Sequence, residues 1–396
     1  MTGFRPDLRR DPAPDLSDLA DDQRLADRIR GEIRGSGPMP FARFMDLALY
    51  DSEGGYYRSA DARPGRAGDF ITAPELHPIF GELLAGAVRD AWLTLGRRDP
   101  FVVVEHGAGE GALAVPLLGA LPEGIGYHPI EVDERRVAVL RHRLADAGLG
   151  GRLVEPLPES FDGVILANEV LDALPVHRVR RRGDALRELA VDLGTDGAFV
   201  EVEIDPSTPK LRERLEVEGI ELVDGQTAEI ALGLDAWIRD ACASLRQGLV
   251  ILIDYGAPAA ELYDPVRRRD GTLQAYVRHQ LGTDPYRFVG RQDLTAHVDV
   301  TAVQRAAEAA GLATLGVTTQ AEALMALGVE ERLREIQADP RTTMEAYTLL
   351  RASLLRLLDP AAMGRFRVMV FGRGWPAGDT PRILRYRLAR PGSDAD

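Results

Sequence analysis

The sequence predicts an α/β fold: a doubly wound, mostly parallel sheet carrying helical and hairpin insertions. Three observations predict it. Short β-branched apolar runs alternate with helical periodicities along the chain, an order that places strands in parallel with helices packed across them. The runs are apolar throughout rather than at every second position, as expected of a sheet covered on both faces. The first run ends directly in closely spaced glycines, the turn by which such sheets open a ligand crevice.

The elements follow in order. Residues 1–24, rich in Pro and Asp and without the apolar core of a signal peptide, read as a disordered acidic tail. From about Arg24 the pattern is helical (RLADRIRGEIRGSG) and stops at Gly35–Gly37, and a short helix follows over Phe41–Leu49. Ser52–Asp69, full of Gly, Tyr and Arg, reads as an ordered loop. Thr72 before Pro74 and Glu75 is a helix start, and the helix runs through FGELLAGAVRDAWLTLG to Gly96. Residues 25–96 thus form a helical lid segment ahead of the core.

The core spans 97–375. FVVVEHG (101–107) is a strand, ALAVPLLGAL a helix, YHPIEVD (127–133) a strand and RRVAVLRHRLADAG a helix. Strands RLVEP (152–156) and DGVILANE (162–169) come next, then the helix LDAWIRDACASLRQG and the strand LVILIDYG (249–256). VTAVQRAAEAAGL is an amphipathic helix ending at Gly311, and ATLGVTT and RFRVMVFGRG (365–374) are the last strands. Between those two lie helices around Ala321–Leu327, Glu330–Ile336 and Met344–Leu358. Insertions fall at about 176–232, 257–298 and 319–363, and 376–396 is a C-terminal segment.

Composition narrows the function classes. The 396 residues hold 48 Lys and Arg against 62 Asp and Glu, a formal charge of −14. That balance disfavours wrapping nucleic acid or binding an anionic membrane, both of which need positive charge against phosphate. No stretch of roughly 18 apolar residues is present, so no membrane-spanning helix is expected. A single cysteine, Cys242, excludes an internal disulfide framework and a multi-cysteine zinc site. It suits a reducing cytoplasm, and its helical setting makes it a buried apolar residue rather than a nucleophile. No H-E-x-x-H, C-x-x-C or clustered His pattern supports a metal, and G-x-S-x-G is absent.

The sharpest chemistry is Glu105-His-Gly107-Ala-Gly109-Glu-Gly111, where alternate glycines let the backbone approach a ligand and turn into a helix. Glu105, at the strand end, can hold an ammonium or a hydroxyl. Glu131, at the end of the second strand, can accept both hydroxyls of a ribose. Two cofactors compete for this geometry. A dinucleotide matches G-x-G-x-x-G/A loosely, but Glu105 and Glu110 are unfavourable beside a pyrophosphate. S-adenosyl-L-methionine carries no phosphate and bears a sulfonium and an amino group, so acid around the glycines suits it better. A purely structural turn is the third reading.

Asn168-Glu169-Val-Leu-Asp172-Ala-Leu-Pro175 follows the DGVILANE strand and would face the same crevice. Methyl transfer needs a nucleophile held in line with the methyl carbon, and carboxylates can orient a guanidinium or amine and accept its proton. Helix capping by Asn168 and dipole pairing by Glu169 weigh equally. Asp69, Thr72 and Glu75 in GDFITAPE form either a lid or a helix cap, capping being slightly favoured. His297 in DLTAHVD is a proton carrier or, in preference, a solvated or capping residue.

Taken in this order, GDFITAPELHPIFGE (68–82), VEHGAGEGAL (104–113), IEVDERR (130–136) and ANEVLDALPVHR (167–178) resemble the MidA family of class I S-adenosylmethionine-dependent methyltransferases. So do LIDYG (252–256), GTLQAYVRHQ (271–280) and QDLTAHVDV (292–300), and the resemblance spans roughly residues 25–375. It implies a seven-stranded sheet whose last strand is antiparallel. It implies S-adenosyl-L-methionine held by Gly107, Gly109, Gly111 and Glu131, with Glu105 at the methionine end. Asn168, Glu169 and Asp172 become candidates for substrate orientation, and Asp69, Thr72 and Glu75 for closure over the cofactor. The mitochondrial relatives dimethylate an arginine of a respiratory complex I subunit, so the resemblance implies a protein arginine as acceptor. A peptide or small natural product is the alternative acceptor. A donor-binding assembly factor without turnover is a further reading, and a nicotinamide oxidoreductase the most remote. His106, Ala108 and Glu110 depart from the family's E-L-G-P-G-x-G, which often has Arg where Glu110 stands. Neither the acceptor atom nor the oligomeric state is fixed by the sequence.

Overall fold

A computed structural model describes residue 16 and residues 19–58, 71–277, 280–282 and 284–388. Most of the expected acidic tail, much of the second half of the Ser52–Asp69 loop, and residues 389–396 lie outside the described residues. Asp22 caps α1 (Gln23–Ser36) by accepting from the Leu25 N–H at 3.1 Å, and Gly37 ends the helix at φ 83°. β1 (Met39–Pro40), α2 (Phe41–Tyr50), α3 (Ala73–Leu76) and α4 (Ile79–Thr94) complete the N-terminal segment.

The core begins with β2 (Phe101–His106), α5 (Ala114–Gly119), β3 (Ile125–Ile130), α6 (Glu134–Asp146) and β4 (Phe161–Asn168). A long excursion follows: β5 (His177–Arg182), β6 (Ala185–Leu193), β7 (Phe199–Ile204), α7 (Lys210–Val217) and β8 (Thr227–Ile230). The chain returns through α8 (Leu234–Ala241) to β9 (Leu245–Asp254). The helix expected over LDAWIRDACASLRQG therefore stops early, and Leu245 already belongs to the strand. Short elements come next: β10 (Gly256–Ala257), α9 (Ala259–Leu262), β11 (Gln274–Val277), β12 (Gln280–Gly282), β13 (Asp293–Thr295) and β14 (Val298–Asp299). The chain ends with α10 (Val300–Ala309), β15 (Ala313–Thr319), α11 (Gln320–Leu327), α12 (Val329–Ala338), α13 (Met344–Leu358) and β16 (Arg367–Arg373).

The central sheet has the order β15-β16-β9-β4-β2-β3. β3, β2, β4 and β9 are parallel, and β16 runs antiparallel between β9 and β15, as expected for the last strand. The expected count of seven strands is corrected to six among the described residues. RLVEP is no strand: it meets β3 through one bridge, Tyr127 with Leu153, where the Val154 N–H donates to the Tyr127 carbonyl at 2.8 Å. Pro156 and Pro158 follow at once and have no N–H to extend a ladder.

Alternate residues of the strands enter two separate cores. Phe101, Val103, Val164, Leu166, Leu249 and Ile251 pack under α4, α5 and α11, while Val102, Val104, Ile165, Val250 and Leu252 pack under α8 and α10. Cys242 is buried in the second of these, as its setting predicts, and burial pushes its thiol up to about 11. The insertion after β4 builds a second, five-stranded antiparallel sheet, in which β1 from the N-terminal segment takes part. Tyrosine and phenylalanine rings of α2, β7 and the loop before β13 form its own core with α1.

Candidate functional site

The strand order reverses at β2: β3 lies on one side and β4 on the other. Loops leaving the carboxyl ends of β2 and β4 therefore diverge and leave a crevice, the place where open α/β sheets bind ligands. The glycine loop fills one wall. Gly107, Gly109 and Gly111 all have positive φ, 68°, 53° and 85°. A Cβ on Gly107 would stand 2.7 Å from Val170 and one on Gly111 3.2 Å from Leu140, so these two permit close packing. Around Gly109 there is open space. Its N–H donates to Glu131 Oε2 at 2.8 Å, and Glu131 Oε1 accepts from the Val132 and Asp133 N–H groups at 2.8 and 3.2 Å. Glu131 is thus brought to the glycine loop, as the spacing requires.

Glu110 points elsewhere. Its carboxylate meets Arg143 of α6 at 2.7 Å, and the same guanidinium donates to the Glu110 carbonyl at 3.1 Å. The negative charge inside the loop is answered locally. Glu105 and His106 end β2 on opposite faces. Glu105 is 4% exposed and accepts from the Tyr127 hydroxyl at 2.7 Å. Burial raises its carboxyl to about 8, against the opposing hydrogen bond, with the nearby Glu131 charge adding to the rise. His106 packs edge-on against Trp237 and is held neutral, burial lowering it to about 4.

The other wall is acidic. Glu169 leaves β4 with φ 54°, a left-handed conformation that a side chain adopts only under constraint and that clusters at functional sites. Its Oε1 accepts from the Ala73 N–H of α3 at 3.1 Å and from Asn168 Nδ2 at 2.9 Å. Its Oε2 and Asn168 Oδ1 are buried without partners. Burial raises Glu169 to about 8, with Asp172 and Glu75 adding repulsion, and burial raises Asp172 to about 6 while the Tyr255 hydroxyl opposes the rise. The structure brings Asn168, Glu169 and Asp172 together beside the glycine loop.

Five further residues belong to this wall and were missed in the sequence. Asp254, ending β9, accepts from the Val170, Leu171 and Asp172 N–H groups at 3.2, 2.9 and 3.2 Å, and so shapes the loop that carries the acids. Tyr255 follows it. Tyr50 and Tyr57 stack at 5.6 Å; the first donates to the Ala173 carbonyl and the second to Asp293, both at 2.9 Å. An acidic and aromatic pair directly after an apolar strand was a readable signal for Asp254 and Tyr255. Tyr50, Tyr57 and Asp293 come from distant segments and gave none.

The remaining candidates divide. Glu75 accepts from the Thr72 N–H at 3.1 Å, the capping geometry that was slightly favoured, and it also shares the crevice with Glu169. Asp69 lies outside the described residues. His297 is corrected. It is half-buried and caps no helix: its ring packs on Tyr255 at 5.3 Å, and burial lowers it to about 3, the charges of Arg268 and Arg365 adding to the effect. Asp299 caps α10 instead, accepting from the Ala302 N–H at 3.0 Å. The basic run Arg178–Arg182 is not a free surface. Arg180 and Arg182 meet Glu203 at 3.1 and 3.0 Å, and Arg178 meets Tyr286 at 3.1 Å together with Glu201 and Glu229.

Known proteins resemble this chain in sequence and fold. Residues 83–318 match the family model described as "Putative S-adenosyl-L-methionine-dependent methyltransferase". The chain is 30% identical over 390 residues to the mitochondrial protein arginine methyltransferase NDUFAF7 homolog of Drosophila melanogaster, covering 88% of this chain and 85% of that protein. It is 26% identical to the human mitochondrial protein arginine methyltransferase NDUFAF7, covering 84% and 79%. A Burkholderia thailandensis structure with S-adenosyl-homocysteine bound superposes with a TM-score of 0.81 at 34% identity, covering 92% of this chain and 95% of that one.

Proposed function

This chain belongs to the family of S-adenosyl-L-methionine-dependent methyltransferases, and from that premise we propose that it methylates an arginine side chain of a partner protein. The cofactor supplies a methyl group made electrophilic by a sulfonium. The crevice fits it: Gly109 stands before open space and Glu131 can take ribose hydroxyls. Glu105 can ionise beneath the ammonium end.

The observation that carries the arginine reading is the buried acid set of Glu169 and Asp172 beside the glycine loop. A guanidinium is protonated at any ordinary pH and is a poor nucleophile. Glu169 Oε2 and Asn168 Oδ1 supply acceptors that hold its N–H groups and localise its charge on the far nitrogens. Asp172, raised to about 6, accepts the proton that the attacking nitrogen gives up, with Tyr255 beside it. The protein arginine methyltransferase relatives support this acceptor class, and a respiratory complex I subunit is the first partner to test. The reading of a donor-binding factor without turnover rested on His106 and Glu110. The Arg143 pair removes half of that motive.

The test is incubation with labelled methyl donor and a cell extract, followed by hydrolysis of the labelled proteins. Methylarginine is expected, and E169Q should abolish it. Label confined to small molecules, or to residues other than arginine, would sink the proposal.

A further inference from the structure

Arg136, on the first turn of α6, is 8% exposed and has no ion pair among the described residues. Its Nη2 is buried without a hydrogen-bond partner. Its guanidinium lies 5.9 Å from the centre of the Tyr57 ring, and its charge reaches Glu75 of α3. Arg58, next to Tyr57, also has a buried Nε without a partner, and its carbonyl accepts from Arg135, which brings it to the same end of α6. The charges of Glu75 and Asp133 reach Arg136 but neither carboxylate bonds to it, and a buried guanidinium N–H left without an acceptor is unfavourable unless something supplies one.

The surroundings say what that something is. The crevice walls are acidic, with Glu75, Glu105, Glu131, Glu169 and Asp172 converging on it. Those groups attract the sulfonium and the ammonium of the donor and repel its one anionic group, the α-carboxylate. We propose that Arg136, aided by Arg58, holds the α-carboxylate of S-adenosyl-L-methionine in a fork of charge-assisted hydrogen bonds. The inference rests on the family's cofactor. It goes further in assigning the donor's only negative charge to a helix that the glycine motif does not include. Selection of the complete donor over its decarboxylated form follows from it.

Calorimetric titration of the full chain, without acceptor, tests this with two probes that differ only in the carboxylate: S-adenosyl-L-methionine and decarboxylated S-adenosylmethionine. R136M should weaken the first about ten- to a hundredfold, the range for hydrogen bonds to a charged group. The second should bind unchanged or more tightly, which also shows that the variant is folded. R136K should fall between wild type and R136M. Equal weakening of both probes, or of neither, overturns the proposal, and so does an effect confined to titrations with acceptor present. Wild type that binds neither probe would instead refute the methyltransferase reading itself.

Discussion

At the scale of single residues, Glu131 anchors the Gly109 N–H, and the proposed function gives it the ribose hydroxyls as a second partner. Glu131→Ala should therefore weaken S-adenosyl-homocysteine about tenfold or more in a titration and, with three backbone N–H groups losing their acceptor, lower the melting temperature as well. Asp172→Asn should lower turnover far more than donor affinity; a proportional loss of both would assign it a structural role. Glu110→Ala removes only a half-exposed pair with Arg143 and should shift stability by less than about 1 kcal/mol, donor affinity following suit. The glycines, Glu131 and the acids after β4 were legible because each sits at a fixed offset from an apolar strand. Tyr50, Tyr57 and Arg136 were not. Their place in the crevice depends on how the N-terminal segment and α6 pack, and no local spacing records that.

At the scale of elements, the parallel strands were legible from continuous apolar runs, whereas RLVEP, with only Leu153 and Val154 apolar, was misread as one more. A short apolar run cannot reveal that the prolines behind it deny the ladder its donors. The charged insertion shows another limit of a one-dimensional reading. Its arginines look like a binding surface in one dimension, but strand pairing sets Arg178, Arg180 and Arg182 against Glu201 and Glu203. Arg178→Ala should strand buried Glu229 without its cation, while Glu201 keeps Arg180, and cost about 3–5 kcal/mol, measured by denaturant unfolding. Loss of methyl transfer should follow only as far as the fold is lost.

Across the whole molecule, buried acid ties stability to pH. Glu105 and Glu169 titrate near 8 when folded and from an ordinary 4.5 when unfolded. Below 4.5 both states hold the protons and the contribution is complete; as pH rises towards 8 only the folded state keeps them, so stability falls. The slope is at most about 1.4 kcal/mol per pH unit for each carboxyl. Melting temperatures of the ligand-free protein should decline across pH 5–8, and the E105Q, E169Q double variant should flatten the decline. A cationic donor draws Glu105 into its ionised form, so binding at neutral pH should release protons, visible as a buffer-dependent heat.

The pairing of Glu110 with Arg143 bears on how such chains are found and how they diverge. A pattern written along the sequence, demanding a basic residue between the last two glycines, would pass this chain over. The positive charge is not missing. It comes from thirty-three positions downstream, from Arg143 on α6. Two changes of opposite sign are needed to cross from one solution to the other, and each alone leaves like charges facing or a carboxylate unanswered. Because the pair is half-exposed, either change alone should cost less than about 1 kcal/mol. A signature of this kind is a property of space, since the two residues meet only in the folded chain.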